Sequence, residues 1–254
     1  MLLAQSLQHH KEQTLSLWES LCAITPSILQ QSHPVLSFIG GGGKTSWIYA
    51  LAQEIASRGK RVLIMTTTKM YWPRQWGVID GSVEDVATQL QQNHIAVVGQ
   101  AVGTEKIGYI GDTLLQKIKN LADITLIEAD GARRRPMKIL GSHEPVILQE
   151  TTAICAVIGL TALYRNLDTV CFRWQETGLH GNTLVTPDVF MKLWQEGNLA
   201  IVKQRYPHVP LIPIIHQADT KDLACLSKHL LQQLRCDGII STFPPSFRDQ
   251  GRPL

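Results

Sequence analysis

The sequence predicts an α/β fold in which a mainly parallel sheet is flanked by helices. Its 254 residues, 44% of them apolar, are enough to bury a core. Short apolar runs bounded by Pro and Gly alternate along the chain with runs of helical spacing, which is typical of βαβ units. The short link Gly59-Lys60 joins one such helix to the next apolar run and favours a right-handed parallel crossover.

The elements of this fold follow one another from residue 34 onward. Residues 34–39 form an apolar run typical of a strand buried on both faces, and a helical pattern over 45–57 follows a glycine cluster. Residues 61–66 predict the second strand. The remaining predicted strands are 95–98, 124–127, 154–158, 211–215 and 238–240, and the remaining predicted helices are 112–121, 187–196 and 220–235.

The N-terminal segment is predicted to be helical. Apolar residues recur at roughly helical spacing over 4–24, which predicts one amphipathic helix that packs on the core. We therefore divide the chain into this segment (1–33) and one α/β domain (34–254). Within the domain, 160–185 has weak periodicity and is interpreted as a surface lobe or a switch-like loop.

Composition excludes several classes of protein. A formal net charge of +3 is too small for binding to nucleic acid or to an anionic membrane by bulk electrostatics. The 5 cysteines are odd in number and form no CxxC pair, so neither a disulfide framework nor a zinc site is predicted. The longest apolar run, 154–163, is about half of a membrane span. Because the first residues also lack the pattern of a secretion signal, we expect a cytoplasmic protein with neither nucleic acid nor membrane as partner.

A glycine-rich turn between the first strand and its helix carries the main functional signal. Backbone N–H groups, a helix N-terminus and a lysine can surround a polyphosphate at such a turn, and the threonine hydroxyl can reach Mg²⁺. A standard phosphate loop would have glycine at position 38, where this chain has Phe38, so the motif is an atypical Walker A. A tight turn without a ligand and a dinucleotide-binding loop are the weaker alternatives. The sequence therefore predicts a three-layer P-loop NTPase-like fold, with the nucleotide held by Gly40, Gly41, Gly42, Gly43, Lys44, Thr45 and Ser46.

Two acidic residues end the strand predicted at 124–127. Glu128 and Asp130 are expected to hold Mg²⁺ or its waters, and they would share a face if the strand continues through Asp130. An ordinary polar strand end is the alternative. Metal ligands are thus predicted at Thr45, Glu128 and Asp130, and catalytic roles at Lys44, Glu128 and Asp130.

A basic cluster follows the acidic strand end directly. Arg133, Arg134, Arg135 and Lys138 could neutralise phosphates or an anionic substrate in the same crevice, or form a solvated face. We assign Arg133 and Arg135 to the nucleotide site. The hydroxyls of 66–68 could order a metal-bound water or a substrate, although threonine also suits the end of a strand.

Four segments together resemble the YqeC family, described as accessory proteins of selenium-dependent molybdenum hydroxylases. The segments read V-L-S-F-I-G-G-G-G-K-T-S, M-T-T-T-K-M, I-E-A-D-G-A-R-R-R-P-M-K and H-E-P, within a resemblance that runs from about 34 to 220. The resemblance implies a P-loop nucleotide-binding protein that helps a hydroxylase mature or receive its cofactor. It places the family's phosphate-binding residues on Gly40, Gly42, Gly43, Lys44 and Thr45, and its acidic block on Glu128 and Asp130.

The resemblance departs from the family near the C-terminus. Many relatives have a segment like N-K-x-D where this chain has His216, Gln217 and Asp219. Asp219 can still accept a hydrogen bond from a base, but the residues that would contact and cover guanine are absent. ATP and GTP therefore both stay open as the nucleotide.

Three functions remain open at this point. The first is a slow, Mg²⁺-dependent NTPase in which the nucleotide orders the 66–72 and 130–145 loops and so controls a surface for a client hydroxylase or its cofactor. The second is a small-molecule kinase whose acceptor is held by Thr67, Lys69 and the arginines, with Asp130 as base. The third is a nucleotide-binding scaffold without turnover. The client and the oligomeric state also stay open.

Overall fold

The computed structural model describes residues 4–8 and 11–242. In this part of the chain one sheet of twelve strands forms the centre of the protein. The strands are β1 (Ala4–Gln8), β2 (Lys11–Leu15), β3 (Val35–Gly40), β4 (Val62–Thr66), β5 (Lys69–Tyr71), β6 (Gly77–Ile79), β7 (Ile95–Val102), β8 (Lys106–Gly108), β9 (Ile124–Glu128), β10 (Met137–Lys138), β11 (Ala153–Gly159), β12 (Cys171–Phe172), β13 (Leu211–His216) and β14 (Gly238–Ser241).

Helices connect most of these strands. The α-helices are α1 (Leu17–Ile24), α2 (Lys44–Ala56), α3 (Val83–Asn93), α4 (Asp112–Ile118), α5 (Leu167–Val170), α6 (Pro187–Trp194), α7 (Ala200–Arg205) and α8 (Lys221–Gln233). Short 3₁₀ helices occur at Pro26–Gln30, Lys119–Leu121, Leu160–Ala162 and Trp174–Thr177, and a π-helical turn at Gln195–Leu199 joins α6 to α7.

The strand order places the glycine turn in the middle of the sheet. The order is β2-β1-β14-β13-β11-β3-β9-β4-β7-β8-β5, with β6 pairing on β7. From β14 to β7 all neighbours are parallel, so the carboxyl ends of these strands share one edge of the sheet. The chain leaves β3 for α2 at this edge, between β11 and β9.

Two apolar cores, one on each face of the sheet, give the protein three layers. Alternate residues of β3 divide between them, since Leu36 and Phe38 pack with α1 and α2, whereas Val35 and Ile39 pack on the opposite face with α3, α4, α6 and α8. The strands at the centre are buried on both sides, which is why they appear in the sequence as continuous apolar runs. The predicted α/β fold with a mainly parallel sheet flanked by helices is confirmed.

The prediction of one helix over 4–24 is wrong for its first half. β1 and β2 form an antiparallel hairpin, and β1 extends the sheet by pairing with β14 through Ala4 to Leu7. The helix begins only at Leu17, because Ser16 accepts from the Glu19 N–H and the Glu19 carboxylate accepts from the Ser16 N–H, a capping box. β1 pairs with an edge of β14 that would otherwise be open, and a local apolar pattern near the N-terminus cannot reveal that edge.

The other predicted strands and helices are confirmed, with two extensions. The strand predicted over 95–98 continues to Val102. The helix predicted over 187–196 continues through the π-helical turn into α7. The 160–185 segment contains only short elements, among them β12, which pairs in parallel with β10 in a separate small sheet. None of the helices in the described ranges is long and apolar enough to cross a membrane.

Candidate functional site

The glycine turn is held rigidly by its neighbours. At Gly40 (φ +93°) a Cβ atom would lie 2.2 Å from the Val157 carbonyl oxygen, and at Gly42 (φ +77°) it would lie 2.2 Å from the Gly159 nitrogen. The Gly41 N–H donates to Val157 O (2.9 Å) and the Gly42 N–H donates to a carbonyl oxygen of the 131–138 segment (3.1 Å). Only glycine fits here, because both the backbone conformation and the space exclude a side chain.

Helix α2 begins immediately after the turn and presents its N-terminus to the same space. Its first residues, Lys44, Thr45 and Ser46, have backbone N–H groups without an intrahelical acceptor. Such N–H groups, together with the positive end of the helix dipole, suit an anion.

Lys44 is buried and already paired. Its Nζ donates to Gly40 O (2.5 Å) and lies 3.1 Å from Asp130 Oδ1, while the side chain is only 4% exposed. Of the three hydrogens on the ammonium group, these contacts use two. One donor therefore remains for the cavity, which Lys44 lines.

Asp130 lies behind the turn and does not line the cavity. Its carboxylate is fully buried, accepts from the Gly40 N–H at both oxygens (3.1 and 2.9 Å), and forms ion pairs with Lys44 and with Lys138 at 3.2 Å. β9 ends at Glu128, so the strand does not continue through Asp130 and the condition for a face shared with Glu128 is not met. These contacts give Asp130 the position of a buried counterion to two lysines; they do not bring it to the place predicted for a metal ligand or a base.

Thr45 and Glu128 meet at the N-terminus of α2. Thr45 Oγ1 donates to Glu128 Oε2 at 2.6 Å, and both residues line the cavity. Burial raises the pKa of the Glu128 carboxyl above its ordinary value, and the positive charge of Lys44 offsets part of this effect. A hydroxyl and a carboxylate are oxygen donors of the kind that Mg²⁺ prefers, so these two residues fit such an ion.

The threonines after β4 hold the neighbouring loops in place. Thr66 Oγ1 donates to the carbonyl oxygen of Glu128 (2.8 Å), and Thr67 Oγ1 donates to the carbonyl oxygen of Val146 (2.7 Å). Among these threonines only Thr68 lines the cavity. The hydroxyls of Thr66 and Thr67 therefore have a structural use.

The residues after β13 close the other side of the turn. The His216 ring lies against Gly43, where an added Cβ would be 2.7 Å from Cδ2, and its Nδ1 is 3.0 Å from the Ser241 hydroxyl. Gln217 accepts from the Thr161 hydroxyl at 2.6 Å. Asp219, which accepts from Thr242 Oγ1 (2.6 Å), lines the same cavity.

One cavity of about 1180 Å³ joins these residues and continues beyond them. We call the part formed by the glycine turn, Glu128 and the residues after β13 the near half. The part beyond it, which we call the far half, is basic and aromatic. It is lined by Lys69, Tyr71, Arg74, Lys106, Arg133, Arg134, Phe172 and Arg173. The Glu144 carboxylate also lines the cavity, where it is paired with Lys138 (2.8 Å) and Arg173 (3.5 Å).

The three consecutive arginines of the predicted cluster make different contacts: two lie on aromatic rings and one binds backbone carbonyl oxygens. Arg133 lies over the Phe172 ring (4.9 Å to its centroid) and Arg134 lies over the Tyr71 ring (4.5 Å). Arg135 instead donates to two carbonyl oxygens of the 168–171 segment, each at 2.6 Å, although it still borders the cavity. The sequence indicated the arginines but neither aromatic partner, because these come from distant short segments with no motif of their own.

Fold and site together define a three-layer α/β protein with a P-loop NTPase-like architecture and a glycine turn at the carboxyl edge of its sheet. The chain belongs to the YqeC family, since the family model described as "YqeC protein" matches residues 36–175. It is also similar to the "Uncharacterized protein YqeC" of Escherichia coli (strain K12), with 33% identity over 177 residues. That match spans 65% of this chain and 66% of the relative.

Proposed function

We propose that the near half binds a nucleoside triphosphate together with Mg²⁺ and that the protein hydrolyses it slowly. The observation that carries this proposal is the pairing of Thr45 Oγ1 with Glu128 Oε2 at 2.6 Å, directly beside Lys44 and the glycine turn. A helix N-terminus suited to an anion and two oxygen donors suited to Mg²⁺ thus lie side by side, which is the combination that a metal-bound polyphosphate needs.

Each group has a distinct part in this proposal. The N–H groups of Lys44, Thr45 and Ser46 bind phosphate oxygens, and the remaining Lys44 donor neutralises their charge. Thr45 and Glu128 hold the cation. Mg²⁺ supplies charge neutralisation of the phosphate oxygens when it is bound. Asp130 keeps Lys44 in position from behind the turn. Asp219, on the β13 side, is the candidate to accept a hydrogen bond from the base.

The cellular role proposed is that of an accessory factor in the maturation of a selenium-dependent molybdenum hydroxylase or in insertion of its cofactor. This part rests on the family resemblance. The geometry contributes one supporting observation: the loops after β4 and β9 meet at Glu128, because the Thr67 N–H donates to its carbonyl oxygen at 3.2 Å. A ligand on the Glu128 carboxylate would therefore act on both loops.

The binding test is calorimetric titration of the full chain with ATP and with GTP, each with and without Mg²⁺. Lys44→Ala should abolish binding, whereas Lys117→Ala, an exposed lysine of α4, should leave it unchanged. Tight binding retained by Lys44→Ala would contradict the proposal. For the cellular role, Lys44→Ala should lower the activity of the hydroxylase in cells that depend on this chain, and full activity there would remove the accessory role.

A small-molecule kinase is the second candidate, favoured by the basic far half next to the phosphate site. In that case nucleotide turnover should rise strongly with one metabolite. A turnover rate that no added metabolite changes would favour the slow NTPase.

A further inference from the structure

The far half contains cations that lack carboxylate partners. Lys69, Arg74, Lys106, Arg133 and Arg134 all line it, and none of them lies within ion-pair distance of a carboxylate among residues 14–242, whose side chains the structure describes. The chain as a whole has a formal net charge of only +3, so this is a local concentration of charge. Like charges gathered in one cavity repel each other until an anion enters it.

The backbone is strained at two of these cationic residues, Arg133 and Arg134. Arg133 (φ +48°) and Arg134 (φ +61°) are consecutive residues in the left-handed region, which residues other than glycine rarely adopt. The next residue, Arg135, is fixed by two hydrogen bonds from its side chain to the Asp168 and Cys171 carbonyl oxygens. Strain of this kind persists where the surrounding structure requires it, and it is concentrated at functional sites.

Aromatic rings hold the cationic groups in place. The charged groups of Arg134 and Lys106 lie 4.5 and 5.1 Å from the centroid of the Tyr71 ring. The guanidinium group of Arg133 lies 4.9 Å from the centroid of the Phe172 ring. A guanidinium group on a ring face keeps its N–H donors at its edge, and these donors match the oxygens of a phosphate group. The groups are thus arranged before any ligand arrives.

We propose that the far half binds a second ligand that carries a phosphate group and is distinct from the nucleotide. This inference deepens the proposed function and rests on it for the occupant of the near half. In the order of the strands, β13 and β4 each lie two positions from β3, on opposite sides. Asp219 follows β13 and Lys69 follows β4, so the base and the second ligand would lie on opposite sides of the glycine turn.

Inorganic pyrophosphate is the probe for this site, titrated by calorimetry in two arms. The first arm uses the full chain saturated with a non-hydrolysable nucleotide and Mg²⁺, so that the near half is occupied. The second arm uses Lys44→Ala without nucleotide or Mg²⁺, so that the near half is disabled. We expect one equivalent of pyrophosphate to bind in each arm.

Variants locate the bound probe. Arg134→Gln combined with Lys106→Gln should weaken pyrophosphate binding about tenfold or more, because two charged donors are lost. The matched control, Arg165→Gln with Lys117→Gln, removes the same charge at exposed positions outside the cavity and should change binding less than about twofold. If the Arg134/Lys106 double variant folds poorly, Arg74→Gln serves in its place, because Arg74 lines the same cavity but is exposed; it too should weaken pyrophosphate binding.

The outcomes separate this inference from the proposed function. If no pyrophosphate binds in either arm, or if both double variants weaken it equally, the second site is refuted. It is also refuted if the Arg134/Lys106 variant weakens nucleotide binding and leaves pyrophosphate binding intact, because the far half would then belong to the nucleotide. If the wild-type chain binds no nucleotide but the second arm responds as expected, the proposed function fails and the phosphate site stands.

Discussion

Replacing Asp130 by alanine should destabilise the protein strongly. The Asp130 carboxylate is fully buried between the ammonium groups of Lys44 (3.1 Å) and Lys138 (3.2 Å), and it accepts from the Gly40 N–H at both oxygens. Removal leaves the buried Lys44 ammonium group without its carboxylate partner and leaves Lys138 with Glu144 alone, at 2.8 Å. It also leaves the Gly40 N–H without that acceptor.

The size of the effect follows from burial. Breaking a buried ion pair by removing one partner costs about 3–5 kcal/mol, because the remaining charge is uncompensated. That is a large part of the about 5–15 kcal/mol by which a folded domain is stable. Asp130→Asn should cost less, since its amide oxygen can still accept from Gly40. Asp123→Asn, in an ion pair with Arg61 at 3.6 Å that is 31–45% exposed, is the control and should cost no more than about 1 kcal/mol.

Urea unfolding at pH 7, followed by circular dichroism, measures these differences. Asp130→Asn combined with Lys44→Met should be more stable than the sum of the two single changes, because the second change removes the charge that the first left uncompensated, whereas Lys138 keeps its ion pair with Glu144 at 2.8 Å. A loss below about 1 kcal/mol for Asp130→Ala would refute the view that this carboxylate holds the glycine turn and its lysine together.

Three further predictions concern the turn and its surroundings. Gly42 and Gly59 both have a φ of +77°, but of the two only Gly42 has backbone atoms where a Cβ would lie, at 2.2 Å. In thermal unfolding, Gly42→Ala should therefore lower the free energy of unfolding by at least about 2 kcal/mol more than Gly59→Ala does. Equal losses of stability would contradict this steric argument. Burial raises the pKa of Glu128 above its ordinary 4.5 in the folded protein, so ionisation of this carboxyl lowers the free energy of unfolding as pH rises from 4.5 through the raised pKa. Glu128→Gln should therefore raise the free energy of unfolding at neutral pH, flatten its pH dependence, and remove the effect of Mg²⁺ on nucleotide affinity. A lower free energy of unfolding for this variant at neutral pH would contradict the sign of the argument. Ser241→Ala removes a hydroxyl that contacts a buried tryptophan and a buried histidine. In urea unfolding it should lower the free energy of unfolding by about 1–2 kcal/mol, whereas Ser57→Ala, at an exposed position, should lower it by about 0.5 kcal/mol or less. Equal urea midpoints for the two variants would refute this prediction.

The parts of the fold visible in the sequence are those that local patterns determine. β3, the glycine turn and α2 could be predicted because a doubly buried strand, a glycine cluster and a helical stripe each leave a continuous signal over several residues. The β1–β2 hairpin could not, because its pairing depends on the free edge of β14, more than 200 residues away in the chain.

The site shows the same division. Lys44, Thr45 and Glu128 were predicted from their spacing, and the structure brings them together. The strand end itself was predicted, since β9 ends at Glu128 next to the predicted limit of 127, but the contacts of Asp130 with Lys44 and Lys138 depend on tertiary packing that the local sequence does not indicate. The aromatic partners of the far half depend on β5–β8 and β10–β12 pairings of only two or three residues, which are too short to leave a periodic pattern.

Arg135 joins three segments that are far apart in the chain. Its carbonyl oxygen accepts from the Gly42 N–H, and its side chain bonds the carbonyl oxygens of Asp168 and Cys171, next to Phe172. Arg135 therefore connects the glycine turn directly to one wall of the far half. If both halves bind their proposed ligands, any coupling through Arg135 must be reciprocal: the factor by which the nucleotide changes the affinity for the second ligand is the factor by which the second ligand changes the affinity for the nucleotide.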